Sequence, residues 1–364
     1  MTSPLVIITP ELKRGCGGLA DHTLRLLECW GCPQHVSVLI PHDQLNATAE
    51  SVSSTTPLGL TAEEIQAQLP LVNGRVLVQY SAYGFDRLGY PRELIKALID
   101  WKTTTGGRLV VMFHEIWTFW PLLNKNYFLQ RLHRRRIRRL LAACDGVFTS
   151  TPSQAGHLRD LAPGAAVQVL PVGTNIRPVD SPPANCQPGS ALLFGLQPTR
   201  VRALKTMHQH LLTLARAGVL SRIVCIGQGD DPSLAAAERE LLQGLGLAKG
   251  FEQQGSMPEH AVSQALFSAE FAIFGQNELS CHKSGSFMAY AAHQSSVIAD
   301  FAAPAKPPPI CWLVAPGELL GGIDKSEVRR RAKFLRIWQE QHASWATIAD
   351  ALGGALGLNG IPPG

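Results

Sequence analysis

The segment Cys281-His282-Lys283-Ser284-Gly285-Ser286 combines small, hydroxyl and cationic residues between an apolar strand and a predicted helix. Free N–H groups at a helix start and a nearby ammonium group stabilise a diphosphate through hydrogen bonds, the helix dipole and charge. Simple capping of the helix by Ser284 or Ser286 is the alternative, and it is compatible with ligand binding. The segment is therefore predicted to hold a diphosphate through Lys283, Ser284, Gly285 and Ser286.

A second basic segment, Leu193-Phe194-Gly195-Leu196-Gln197-Pro198-Thr199-Arg200, follows the first strand of the same half of the chain. Its glycine permits a tight turn, and the cations after it could reach a phosphate at the same sheet edge. A solvated basic helix start is the alternative. The predicted second cationic contact is Arg200, with Arg202 and Lys205 as further candidates.

The segment Gly15-Cys16-Gly17-Gly18-Leu19-Ala20-Asp21-His22 lies between the first strand and the first helix. Glycines allow a backbone to approach a ligand closely, so Gly17 and Gly18 are candidate donor contacts. The segment also satisfies the dinucleotide pattern G-x-G-x-x-A through Gly15, Gly17 and Ala20, with Asp43 as the ribose carboxylate. Five residues separate the strand from the first glycine, whereas that pattern requires an immediate turn.

His114 lies at the end of a predicted strand in the sequence Phe113-His114-Glu115, where it is a candidate functional residue. A buried histidine with satisfied hydrogen bonds is the alternative. The other histidines, including His208, His210 and His282, show no zinc-ligand spacing, so no metal is expected.

The segment from Arg131 to Leu141 holds six arginines in nine residues and follows an aromatic-rich stretch from Trp117 to Leu123. A basic helix of this kind, here residues 131–139, can lie on an anionic membrane surface. A solvated helix face is an equally good explanation.

Composition and length indicate the number of domains and the class of partner. The chain has 364 residues, 45% hydrophobic and 17% charged residues, and a formal net charge of +5. These values predict two globular domains or one large one and favour acidic partners such as phosphates, and nucleic acid is not expected. Eight scattered cysteines, with no signal peptide pattern and no long apolar span, favour reduced thiols in a cytoplasmic protein.

Apolar strands alternate with helices in two halves, which predicts parallel sheets covered on both faces. A proline-rich linker is predicted over Arg177–Ser190. The predicted architecture is α/β, with two doubly wound, Rossmann-like domains facing a central cleft. The first domain spans residues 1–180, with a C-terminal helix at about 344–358 packing back on it, and the second spans residues 190–340.

The order of several short motifs resembles glycosyltransferases of family 4, which have the GT-B fold. In the first half these are Gly17-Gly18-Leu19-Ala20-Asp21-His22, Gln79-Tyr80-Ser81 and Phe113-His114-Glu115. In the second half they are Phe194-Gly195-Leu196, Gly255-Ser256-Met257-Pro258 and Lys283-Ser284-Gly285-Ser286. The resemblance covers nearly the whole chain. The paired glutamates of the family are replaced by Cys281 and Ala289, and Glu278 is a nearby candidate donor contact.

The resemblance implies a metal-independent transfer of a sugar from a nucleoside diphosphate sugar to an acceptor hydroxyl, and it favours a retaining course. It places His114 near the sugar and the forming bond, and it requires no cofactor. The acceptor would be a glycan or a lipid-linked molecule, and the protein would be cytoplasmic or peripheral on the inner membrane face. Two alternatives stay open at this point. The first is a catalytically silent GT-B relative that acts as a binding or scaffold subunit, and the second is an NAD-dependent oxidoreductase.

Overall fold

The computed structural model describes residues 4–13, 18–31, 36–42, 54–116, 127–181 and 186–358. The chain divides into two units, one formed by Met1–Val172 with Trp345–Gly364 and the other by Gly173–Ser344. Each unit contains one parallel sheet with helices around it, which confirms the predicted α/β class.

The first unit contains a seven-stranded parallel sheet in the order β3-β2-β1-β4-β5-β6-β7. In the register of its centre, Leu5 of the first strand pairs with Val36 on one side and with Arg75 on the other. The strands are β1 (Leu5–Ile8), β2 (Val36–Ile40), β3 (Thr55–Pro57), β4 (Arg75–Ser81), β5 (Arg108–Glu115), β6 (Gly146–Thr149) and β7 (Val167–Val169).

Helices cover both faces of this sheet, because its central strands are apolar at successive positions. Val76 and Val78 belong to one hydrophobic cluster and Leu77 to the cluster on the opposite face, as the two-residue period of a strand requires. The helices are α1 (Gly18–Cys29), α2 (Ala62–Ala67), α3 (Ala82–Phe85), α4 (Arg92–Thr105), α5 (Tyr127–Ala143) and α6 (Pro152–Leu161).

The second unit contains a five-stranded parallel sheet in the order β10-β9-β8-β11-β12. Its strands are β8 (Gln187–Phe194), β9 (Arg222–Ile226), β10 (Phe251–Gln253), β11 (Ala269–Ile273) and β12 (Ser296–Ile298). Its helices are α7 (Gln197–Arg216), α8 (Pro232–Gln243), α9 (Glu259–Ser268), α10 (Gly285–Ala292), α11 (Pro316–Leu320) and α12 (Lys325–His342).

The last helix, α13 (Trp345–Leu356), packs in the first unit although the second unit precedes it in the chain. Its apolar residues Ile348 and Leu352 join the hydrophobic cluster that contains α1. The indole N–H of Trp30, directly after α1, donates to the carbonyl oxygen of Ala349 at 3.2 Å, and Arg108 donates to that of Ala355 at 2.9 Å. The chain therefore returns to the first unit through α13, which buries its apolar face there.

Both sheets have a point at which the strand order reverses, between β1 and β4 in the first and between β8 and β11 in the second. Open parallel sheets bind ligands outside the carboxyl ends of their strands at such points. These two positions are where the fold favours binding sites. None of the helices in the described part of the chain is long and apolar enough to cross a bilayer.

The structure differs from the sequence prediction at short and polar elements. The strands β3 and β10 have three residues each and the helix α2 has six, and their polar residues give no continuous apolar run or long helical period in the sequence. The predicted linker Arg177–Ser190 ends inside β8, which begins at Gln187. Pairing with β9 orders this polar start of the strand, since Ser190 lies opposite Arg222.

Candidate functional site

The loop after β8 lies against the start of α10 in the second unit. Gly195 has a φ of +144°, and a Cβ atom added there would lie 2.9 Å from the Ser286 Oγ atom. Gly227, after β9, has a φ of +131°, and its added Cβ would lie 2.1 Å from the carbonyl oxygen of Gly195. Glycine is required at both positions, because residues with a Cβ atom rarely adopt this backbone conformation and the Cβ atom would have no space. Loops from β8 and β9 therefore meet at the reversal point of the sheet.

The start of α10 presents both a cap and free donors. Ser284 is the N-cap residue, and its Oγ accepts a hydrogen bond from the Phe287 N–H at 3.2 Å. The helix cap by Ser284, which the sequence suggested as an alternative, is thus present. The N–H groups of Gly285 and Ser286 have no acceptor within the helix, because the first turn of any helix lacks such partners. This start can therefore donate hydrogen bonds to an anion while it is capped.

Lys283 precedes this start and is exposed. Within the described residues, no carboxylate forms an ion pair with it. By contrast, the candidate donor contact Glu278 forms an ion pair with Lys306, which compensates its charge. Lys283 is thus a free cation beside the start of α10, whereas the carboxylate of Glu278 is occupied by a neighbour.

The structure places the Arg200 side chain in the interior of the second unit, whereas the sequence predicts that it contacts a phosphate. Its side chain is 4% exposed and makes two hydrogen bonds to the Glu238 carboxylate, of 2.7 and 3.2 Å. The same guanidinium donates to the carbonyl oxygens of Gly195 at 2.6 Å and Gly227 at 2.9 Å. In this structure Arg200 holds the two glycine loops together, and its contact with a phosphate stays a prediction.

Tyr290 is a further residue that holds the loop after β8 in place, and its role is not predictable from local sequence. Its hydroxyl accepts from the Phe194 N–H at 2.7 Å and donates to the Phe194 carbonyl oxygen at 3.2 Å. Burial raises the pKa of this phenol, which stays protonated. The hydroxyl therefore joins the end of β8 to the middle of α10.

The two positions that the resemblance aligns with the paired glutamates are buried. Cys281 and Ala289 are both completely buried, and burial raises the pKa of the Cys281 thiol to about 12. The thiol is therefore neutral at physiological pH. Neither position supplies a charged group to a ligand.

The remaining predicted donor contacts lie in different places. Lys205 and Arg202 are exposed on α7. Gly18 is the first residue of α1, whereas Gly17, together with Gly15 and Asp43 of the dinucleotide pattern, lies outside the described residues.

His114 lies at the carboxyl end of β5 in the first unit. Its Nε2 atom is 2.7 Å from the Gln79 Oε1 atom, and Gln154 donates to its carbonyl oxygen at 3.0 Å. Burial lowers the pKa of His114 to about 4, so the imidazole is neutral near pH 7. The neighbouring Glu115 is exposed and accepts a hydrogen bond from the Ser81 hydroxyl at 3.0 Å.

The basic helix α5 presents a row of guanidinium groups. Its exposed arginines are Arg131, Arg134, Arg135, Arg138 and Arg139. Leu132 on the same helix is 50% exposed, and Arg136 instead donates to the Tyr90 hydroxyl at 2.6 Å. The aromatic residues before this helix, from Trp117 to Leu123, lie outside the described residues.

Across the described ranges, no three His, Cys, Asp or Glu side chains converge as a metal site would require.

No family model matches the chain. No curated protein matches it in sequence either.

Solved structures do match over nearly the full length. WaaG, a glycosyltransferase involved in lipopolysaccharide biosynthesis, matches with a TM-score of 0.60 and 11% identity, covering 96% of this chain and 100% of WaaG. HepE from Anabaena, solved with UDP, matches with a TM-score of 0.60 and 11% identity, covering 98% and 100%. An α-glucosyltransferase, solved with UDP-glucose and DNA containing an abasic site, has a TM-score of 0.56 and 11% identity, covering 94% and 96%.

These matches agree with the two parallel sheets described above and confirm the predicted fold class. At identities this low the likeness concerns the fold. The chain has the GT-B fold of glycosyltransferases.

Proposed function

We propose that this protein is a glycosyltransferase that moves a sugar from a nucleoside diphosphate sugar to an acceptor hydroxyl. The observation that carries the proposal is the junction in the second unit, where the Gly195 loop meets the start of α10 beside the unpaired Lys283. This junction lies at the reversal point of the sheet, where the fold favours a ligand.

The chemistry of the junction suits a diphosphate. The N–H groups of Gly285 and Ser286 can donate to phosphate oxygens, and the Lys283 ammonium can compensate their charge. These groups would also stabilise the negative charge that develops on the departing diphosphate, so the proposed reaction needs no metal. We propose a retaining course, in which a diphosphate oxygen accepts the proton of the incoming hydroxyl.

The proposal assigns His114 to the sugar and the forming bond. Its neutral imidazole can donate or accept a hydrogen bond, but it carries no charge near pH 7. It is therefore suited to orient a sugar hydroxyl rather than to neutralise the diphosphate. No residue is assigned as a separate general base.

A second candidate function is a catalytically silent relative that binds nucleotide sugars without transferring them. The buried Cys281 and Ala289 favour it, because both family glutamates are absent. The two candidates predict the same ligand and differ only in turnover.

The acceptor and location are proposed from charge. We expect a glycan or lipid-linked acceptor at the inner membrane face, with α5 on anionic lipid, since each surface cation adds about 1 kcal/mol of attraction. Vesicles with and without phosphatidylserine would test this by co-sedimentation. Substituting the five exposed arginines of α5 with glutamine should abolish binding to the anionic vesicles and leave nucleotide binding unchanged.

Nucleotide and turnover measurements test the function itself. The protein should be stabilised by UDP-glucose or GDP-mannose, with their nucleotides UDP and GDP as further ligands, and not by NAD. A ligand at a hundred times its dissociation constant adds about 2.7 kcal/mol to the free energy of unfolding. Slow release of free sugar from the stabilising donor would support the transferase, and binding without release would support the silent relative. Stabilisation by NAD alone would contradict both.

A further inference from the structure

A group of buried polar side chains surrounds His114 in the first unit. His22, on α1, is 1% exposed, and Gln79, near the end of β4, is completely buried. Both His22 ring nitrogens and the Gln79 Nε2 atom are without a hydrogen-bond partner in the described part of the chain. Buried polar atoms in native proteins are almost always paired with protein or ordered water, so three such nitrogens need an explanation.

The unpaired atoms belong to side chains that contact the same ring. Gln79 Oε1 lies 2.7 Å from His114 Nε2, and the ring centroids of His22 and His114 are 4.9 Å apart with an interplanar angle of 79°. On its other side, the His22 ring is 5.2 Å from the Trp345 ring of α13. The group lies beside the reversal point between β1 and β4, where a ligand is expected.

The charge state of these groups limits which chemical class of ligand they can bind. Burial lowers the pKa of His22 well below its ordinary value, and the nearby His114 adds to this effect. Both rings are therefore neutral near pH 7. A neutral imidazole offers one donor and one acceptor, and the Gln79 amide nitrogen offers only donors. An uncharged group that both donates and accepts, such as a hydroxyl, complements them better than an anion or a cation does.

We propose that His22 and Gln79 bind one hydroxyl group, from a water molecule or a sugar, beside the His114 ring. Because Gln79 also accepts from His114, the bound hydroxyl would fix the Gln79 amide and through it the orientation of His114. His22, which is 1% exposed, would act on His114 through this hydroxyl and Gln79, and is therefore a positioning residue. The site belongs to the first unit alone and does not depend on the proposed sugar transfer.

Crystal structures of the full chain, alone and soaked with UDP-glucose or GDP-mannose, would test the binding site. Density at hydrogen-bond distance from both His22 and Gln79 in the ligand-free crystal identifies water as the source. A sugar hydroxyl at that position only after soaking identifies the sugar. A site without density in both crystals, or a protein group donating to His22, overturns the proposal.

Substitutions at His22 give an independent test in solution. His22→Phe removes the partner of the hydroxyl, and we expect the ¹⁵N signals of the His114 ring to shift and the melting temperature to fall. His22→Gln keeps a donor and an acceptor and should restore the His114 signals. His260→Phe, at an exposed position of the second unit, is the matched control and should change neither. A raised melting temperature in His22→Phe with unchanged His114 signals would refute the site, because removal of an unpaired polar group stabilises a protein.

Discussion

Replacing Arg200 with methionine separates a structural role of this cation from a role in phosphate binding. The guanidinium is buried, pairs with the equally buried Glu238 and donates to the carbonyl oxygens of Gly195 and Gly227. Arg200→Met leaves the Glu238 charge without its cation and leaves two carbonyls without their donor. The structure therefore predicts a loss of stability in the second unit first.

The size of this loss follows from the burial of both partners. Breaking a buried ion pair by removing one partner costs about 3–5 kcal/mol. The double variant Arg200→Met/Glu238→Leu removes both charges and should recover part of that loss. We expect an interaction energy of about 2 kcal/mol between the two positions, within the range of contacting residues.

Urea unfolding followed by tryptophan fluorescence measures these free energies. Arg222→Met is the matched control, because its ion pair with Glu252 is partly exposed and should contribute less than about 1 kcal/mol. UDP binding by calorimetry is measured on the same variants. The reasoning is refuted if Arg200→Met unfolds at the same urea concentration as the unchanged protein and loses only nucleotide affinity.

Three further predictions concern the loops, the histidines and the thiols. Gly195→Ala should destabilise by about 1–3 kcal/mol in urea and weaken UDP binding, whereas Gly218→Ala, which has a φ of +71° but open space around it, should lose only stability. The pKa of His114 is lowered from 6.5 to about 4, so the unfolded chain takes up the proton first as the pH falls. The free energy of unfolding should therefore decrease from pH 6.5 to pH 4, and it should decrease less steeply in His114→Gln. Iodoacetamide at pH 8 should alkylate the exposed Cys186 and leave the buried Cys281 unmodified by mass spectrometry; equal rates would contradict the packing around α10.

The sequence predicts the sheets well where strands are apolar and continuous. The runs Val36–Ile40 and Arg222–Ile226 are apolar except at Ser37 and Arg222 and form β2 and β9, because strands buried on both faces need nearly continuous apolar residues. The three-residue strands Thr55–Pro57 and Phe251–Gln253 are edge strands, and they carry polar residues because one side of each has no neighbouring strand. Such strands are defined by pairing across the sheet, which local sequence does not contain.

The candidate site was predictable where one segment carries the chemistry. The cap by Ser284 and the helix after it follow from local residue types. The pairing of Arg200 with Glu238 joins positions 38 residues apart, so the sequence favoured a free cation instead. The unpaired nitrogens of His22 and Gln79 likewise depend on burial by distant elements.

Calorimetric titration of UDP into Lys283→Ala tests most directly whether the start of α10 holds the diphosphate. Lys283 is exposed and forms no ion pair with any described residue, so the variant should fold normally. Loss of a charged hydrogen bond costs about 1.5–3 kcal/mol, which corresponds to about a 10- to 100-fold weaker affinity. Lys249→Ala, at an exposed lysine before β10 and hence at the opposite edge of the same sheet, should bind UDP normally. Equal UDP affinity in Lys283→Ala and the unchanged protein would contradict the proposed site.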